Sequence, residues 1–261
     1  MKSTAIKSLA MAMTSIALIA CGEQVNSKST DTNNQSLSTT AAPIAAQTTT
    51  APTAIATETV EQTAVTASQV AQASSFVQGT HYDIIDPPIA VSGEKVQVAE
   101  LFWYGCGHCF NLEPHMIKWR QNIPANAELI EVPAVFGNQW KFHAQAFYTS
   151  QALGIQKESH QKIFDSIHVQ KKRISKLSQL QDLFETLGQS REKTEAAFQS
   201  FAVDANLRNA ALFAQKSGAS AVPTIIVDGK YRTSVGQAGG YDQLLQLMNH
   251  LVEKAQGDRQ G

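Results

Sequence analysis

The chain has 261 residues, with 21 Lys and Arg against 22 Asp and Glu and a formal net charge of −1. That length suits one domain of ordinary size plus extra segments. Charged residues make up only 16% of the chain and no long block of one sign occurs, which excludes a nucleic-acid surface built on basic charge. In chain order, the first element reads as an export leader. Lys2 and Lys7 give it a positive start, and Leu9 to Ala20 is an apolar run too short for a usual membrane-spanning helix.

The leader ends "LIAC", with Cys21 directly after the small Ala20. This resembles the bacterial lipobox, where a signal peptidase cuts before a cysteine that carries lipid. The alternative is an ordinary signal beside an unrelated cysteine. Residues 1–20 are thus expected as a lipoprotein signal peptide and Cys21 as the lipidation site. On either reading the destination is the cell envelope, where disulfides persist. Cleavage would remove two basic residues and no acidic one, making the mature chain more negative. Residues 21–75 are rich in Thr, Ala, Ser and Gln and hold no aromatic residue before Phe76. Such a stretch cannot bury enough apolar surface to offset its chain entropy, so it is expected as a disordered tether. Its root-mean-square span as a flexible coil is roughly 40 Å.

The folded head is expected over about residues 76–256. "VQVAELFWY" (96–104) reads as a buried strand, free of Pro and Gly until Gly105. A helix is expected to begin at Cys106, with a kink at Pro114. "AELIEVPAVF" (127–136) reads as a second strand. Helical segments follow: "QWKFHAQAFYTSQALG" stopping at Gly154, then "ESHQKIFDSIHVQ", "KLSQLQDLFETLG", "REKTEAAFQS" and "VDANLRNAALFAQKSG", the last stopping at Gly218. "VPTIIVDGKYRTS" reads as a hairpin turning at Asp228–Gly229. "GGYDQLLQLMNHLVEKA" is a terminal helix with Leu244, Leu245, Met248 and Leu251 on one face. The resulting fold class is α/β: a thioredoxin-like sheet from 76–137 and 218–256, with an inserted helical subdomain at 138–217.

"CGHC" (106–109) holds two of the three cysteines. A zinc site would need two more ligands. Cys21 is the only other cysteine, and the seven histidines show no paired spacing. A structural disulfide closing so small a loop would remove little chain entropy. The remaining use is thiol–disulfide exchange, which needs a thiolate. A helix N-terminus favours that anion through free N–H groups and the positive dipole end. Cys106 is therefore expected as nucleophile and Cys109, one turn on, as the resolving thiol. His108, when protonated, would add positive charge, and its place between the cysteines favours this over the alternative of a solvated surface histidine.

"ELFWYGCGHC", the order of elements and the late "AVPTIIVDGKY" together resemble the DsbA family of periplasmic disulfide oxidoreductases, over about 170 residues from "GTHYDII" to "LVEKA". The resemblance implies a cis peptide at Val222–Pro223, facing the cysteines, where backbone groups can pair with an extended client. It also implies that Glu100 is a buried acid assisting proton transfer to and from Cys109; an exposed strand-end glutamate is the alternative. Clients would be newly exported proteins with cysteines, reoxidation would come from a DsbB-like quinone-linked membrane partner, and no bound cofactor is needed. The segment before Phe76 lacks the apolar pattern of a dimerisation domain, which favours a monomer. The chain departs from the family in two places. Gly107 stands where DsbA usually has proline, as in protein disulfide isomerase, so a reduction potential near or between roughly −120 and −180 mV is expected. Glu131 falls where the family can have a lysine. An envelope reductase or isomerase, and a metal-binding module on the same cysteines, remain rival readings. Trp140 and His143 suit a groove wall or simple packing, and "QKKRISK" (170–176) a solvated loop.

Overall fold

The computed structural model describes residues 76–261; the expected leader, Cys21 and the whole of the expected tether lie outside them. Five strands form one sheet: β1 (Asp83–Ile84), β2 (Val96–Phe102), β3 (Ala127–Pro133), β4 (Thr224–Val227) and β5 (Tyr231–Thr233), in the order β1-β5-β4-β2-β3. β2 and β3 run parallel, while β2/β4, β4/β5 and β1/β5 are antiparallel. The helices are α1 (Gly107–Gln121), α2 (Asn138–Ala152), α3 (Gln156–His168), α4 (Leu177–Glu185), α5 (Arg191–Phe198), α6 (Phe201–Ser217), α7 (Val235–Ala238) and α8 (Tyr241–Gln260).

The near-continuous apolar run of β2 follows from its position, because a strand covered on both faces has no polar side. Val96, Val98, Ile225 and Val227 pack on Leu112, Met116 and Trp119 of α1 and on Leu244, Leu247, Met248 and Leu251 of α8. Ala99, Leu101 and Ile226 face the other way, onto Phe147 of α2, Phe164 of α3, Phe184 of α4 and Ala210 of α6. The turn between β4 and β5 has positive φ at both Asp228 (55°) and Gly229 (64°), the twist a tight hairpin prefers. Glycine is required at the second position, since a Cβ there would stand 2.1 Å from the Ile89 carbonyl oxygen.

Several boundaries differ from the expected ones. β2 stops at Phe102 because the chain turns, the Cys106 N–H bonding the Trp103 carbonyl at 2.9 Å. Pro133, which lacks an N–H, is the last residue of β3. α1 continues through Pro114, its buried Leu112, Met116 and Trp119 holding both halves on the sheet. Leu247 is buried in α8 while Leu245 is only partly so. α8 extends to Gln260, its last turn fastened by Arg259, which binds Asp228 and the carbonyls of Gly93 and Glu94. Among the described residues no helix is long and apolar enough to cross a membrane.

Candidate active site

Cys106 is the N-cap of α1 rather than its first helical residue. Its backbone is extended (φ −89°, ψ 116°), and its Sγ accepts the backbone N–H of Cys109 at 3.3 Å. This is the place where Ser, Thr or Asp commonly satisfies a free N–H, so an anionic sulfur is stabilised there in the same way. The Cys106 thiol is accordingly lowered to about 6, chiefly by the hydrogen bond from the Cys109 thiol, with further help from the Cys109 and His108 backbone and the His108 charge, against the cost of partial burial. Cys109 is fully buried, and burial first, then its bond to Cys106, drives its own pKa strongly upward. The two thiols are unbridged, one poised as an anion and the other held as an acid. His108 is exposed beside them, and a Cβ at Gly107 would meet nothing within 4 Å, so the Gly-His dipeptide lies open to solvent.

The Val222–Pro223 bond is cis, and the Cys106 thiol donates to the Val222 carbonyl at 3.5 Å. β4, which follows directly, lies against β2. These contacts bring two segments 116 residues apart to one point.

Glu100 is 1% exposed, in register between Glu131 of β3 and Ile225 of β4. Its Oε1 has no hydrogen-bond partner. Burial, then the charges of Glu113 and Glu131, push its pKa well up, with Arg120 opposing. A protonated carboxyl held this way is suited to passing a proton to Cys109, whose pKa the Glu100 charge raises. Glu131 is bonded by Arg120 and Gln156, so the cation beside this acid comes from α1 instead of from β3.

Sequence reasoning missed a second buried network. Tyr104 O–H bonds His160 Nδ1 at 3.0 Å, and His160 Nε2 bonds Glu113 Oε1 at 3.1 Å, all three groups being buried. The available signal was Glu113, which sits one helical turn beyond Cys109 on the same buried side of α1. Trp103 and Trp140 stack with ring centroids 4.2 Å apart. His143, read as groove wall or packing, is 4% exposed and bonds the Ile174 carbonyl at 2.8 Å; burial lowers it to about 4. Among the described residues, no three His, Cys, Asp or Glu side chains gather as a metal ion would require.

The comparisons match this architecture. The DSBA-like thioredoxin domain family matches residues 116–251. The DsbA of Pseudomonas aeruginosa is 35% identical over 185 residues, covering 70% of this chain and 88% of that protein.

The chain belongs to the DsbA family.

A crystal structure of Pseudomonas aeruginosa DsbA superposes with a TM-score of 0.69 at 33% identity, over 72% of this chain and 98% of that one. The DsbA oxidoreductase from Xylella fastidiosa gives 0.66 at 26% identity, over 70% and 98%. As a DsbA-family protein the chain is a thiol:disulfide oxidoreductase that introduces disulfide bonds.

Proposed function

We propose that Cys106 is the attacking and attacked sulfur of this oxidoreductase, and that its clients are cysteine-containing proteins newly exported to the cell envelope. The observation that carries this is the Cys106 thiol, lowered to about 6 at the head of α1 beside a buried partner thiol. In the oxidised protein, a client thiolate attacks Sγ of Cys106, forming a mixed disulfide and expelling the Cys109 thiolate. Glu100 gives that leaving thiolate a proton. The client's second thiolate then attacks the mixed disulfide, leaving with its own disulfide and releasing Cys106 as the thiolate. Two electrons and two sulfur bonds change hands, and no cofactor enters. His108 adds positive charge near Cys106, and the backbone at Val222 and Pro223 receives the client as an extended strand.

The reduced pair is reoxidised by a DsbB-like quinone-linked membrane partner. A lipid on Cys21 keeps the monomeric head close to the membrane. The deciding experiment first activates Cys106 of the Cys109→Ser variant as a mixed disulfide with thionitrobenzoate, then adds reduced envelope extract, so that a client thiolate displaces the thionitrobenzoate, and traps the adducts. Mixed disulfides at Cys106 with exported proteins support the reading, and adducts absent or attached elsewhere refute it. Replacing Cys21 with serine tests the anchor separately, by whether the protein leaves the membrane fraction.

Gly107 favours a second reading, since the same Gly-His dipeptide occurs in protein disulfide isomerase: an envelope isomerase or reductase working from the reduced pair. The redox state of Cys106 and Cys109 in cells separates the two, oxidised for the first and reduced for the second.

A further inference from the structure

The segment 169–176, which joins α3 to α4, carries Lys171, Lys172, Arg173 and Lys176 in a chain whose net charge is −1. All four are exposed. None has a carboxylate within 4 Å among the described residues, whereas Arg120, Arg191, Arg208, Lys230, Arg232 and Arg259 each have one. Lys171 also holds a left-handed backbone (φ 56°), a conformation that disfavours any residue with a Cβ other than Asn or Asp.

One end of this loop is fastened to groups that flank Cys106, and the other to α2 beside Trp103. At its start, His168 donates to the Tyr104 carbonyl at 2.7 Å and stacks on Phe110, the residue after Cys109. The Lys172 N–H then returns to the Ser166 carbonyl at 2.8 Å. Farther along, the Ile174 carbonyl is held by His143 and Gln139, and the His143 ring lies 5.8 Å from Trp103. Between these anchors is a cleft of about 310 Å³ bordered by Lys171, Lys172 and Arg173, with no acidic residue in its wall. Val169, 63% exposed, adds apolar surface at the same edge.

We propose that this cationic loop is a docking surface for client segments carrying Asp or Glu near the cysteine to be oxidised. The proposal rests on the exchange reading above and adds a preference to it. Exposed, unpaired charge fixed beside a reactive centre acts mainly on encounter rate, and its effect falls with ionic strength. The loop is not part of the exchange chemistry, so it selects among clients without altering the bond-swapping step.

The test uses three synthetic peptides, each with one cysteine pair and matched apart from acidic, neutral or basic flanks. Oxidation by the full-length protein is followed under second-order conditions at low and high salt. The acidic peptide is expected to react about tenfold faster than the neutral one at low salt, with the advantage vanishing at high salt. In a Lys171→Glu, Lys172→Glu, Arg173→Glu variant the order should reverse, while the neutral peptide keeps its rate. A milder all-Gln variant should level the three rates. Equal rates in the wild-type protein at low salt, or an acidic preference that survives charge reversal, would overturn the proposal. So would equal rates accompanied by loop-dependent retention on anionic vesicles, which assigns the charge to lipid. Failure of the exchange reading shows differently, as loss of oxidation of all three peptides together.

Discussion

The backbone N–H of Cys109 points at Sγ of Cys106, 3.3 Å away, while the Cys109 side chain is itself wholly buried. One residue therefore stabilises its neighbour's negative charge twice, through its amide and through its thiol, while being unable to carry that charge itself. The first consequence concerns Cys109→Ala. The thiol that most strongly lowers Cys106 is lost, so the Cys106 titration should move up from about 6. At about pH 7 its thiolate fraction, about 90% for such a group, should fall, and alkylation below about pH 7 should slow several-fold. Iodoacetamide kinetics across pH check this; an unchanged profile would assign the lowering to the helix end alone.

A depressed Cys106 pKa also makes the reduced fold pH-dependent. The folded thiol ionises at about 6 and the unfolded one near 9, so its stabilising effect is present above the unfolded value and is lost as pH falls toward 6. The disulfide form lacks this group. The melting temperature of the reduced protein relative to the oxidised one should therefore rise from about pH 5.5 to about pH 8, read by paired thermal melts.

Glu100→Gln keeps the shape of a buried side chain but removes its proton chemistry. Client oxidation should slow by on the order of tenfold or more, with less mixed disulfide formed, because Cys109 leaves without a proton donor and its thiolate re-attacks Cys106. The variant should gain stability relative to wild type as pH rises. The raised Glu100 pKa means the native state retains a proton that the unfolded state gives up above its ordinary value, and this costs stability. Stopped-flow peptide oxidation and denaturant melts at two pH values read both effects.

His143 is lowered to about 4 by burial, so unfolding at mildly acid pH takes up a proton. Its contribution is intact above about 6.5 and is lost as pH falls toward 4, by at most about 3 kcal/mol. His143→Gln should flatten that part of the stability profile, measured by urea melts, while leaving peptide oxidation at neutral pH unchanged.

Gly105 carries no positive φ, yet a Cβ there would stand 2.3 Å from the Trp103 ring. Gly105→Ala should displace Trp103 from its stack with Trp140, at a cost of about 1–3 kcal/mol. A changed tryptophan fluorescence spectrum together with a lowered melting midpoint would register it.

What could be read in advance was local. An apolar run ending in a redox pair marks β2 and the head of α1, Asp228–Gly229 marks the hairpin, and Gly154 and Gly218 mark helix stops, because each depends on a few adjacent residues. The two-residue β1 is too short to leave a periodic trace, and it exists only through pairing with β5. Glu113, His160 and Tyr104 could not be grouped for another reason. His160 lies 47 residues from one partner and 56 from the other, and only the packing of α3 against α1 brings them together. Glu100 was recognisable from its place before the cysteines, whereas the Arg120 cation that bears on it depends on how α1 lies over β3.

The most direct test of the account is the thiolate absorbance of the reduced protein, followed from about pH 4 to about pH 9. With Cys21 replaced by serine, one thiolate should appear with a midpoint near 6, removed by Cys106→Ser, with no second step in that range from Cys109. A first midpoint at an ordinary thiol value of about 8.5, or a step that persists in Cys106→Ser, would contradict it.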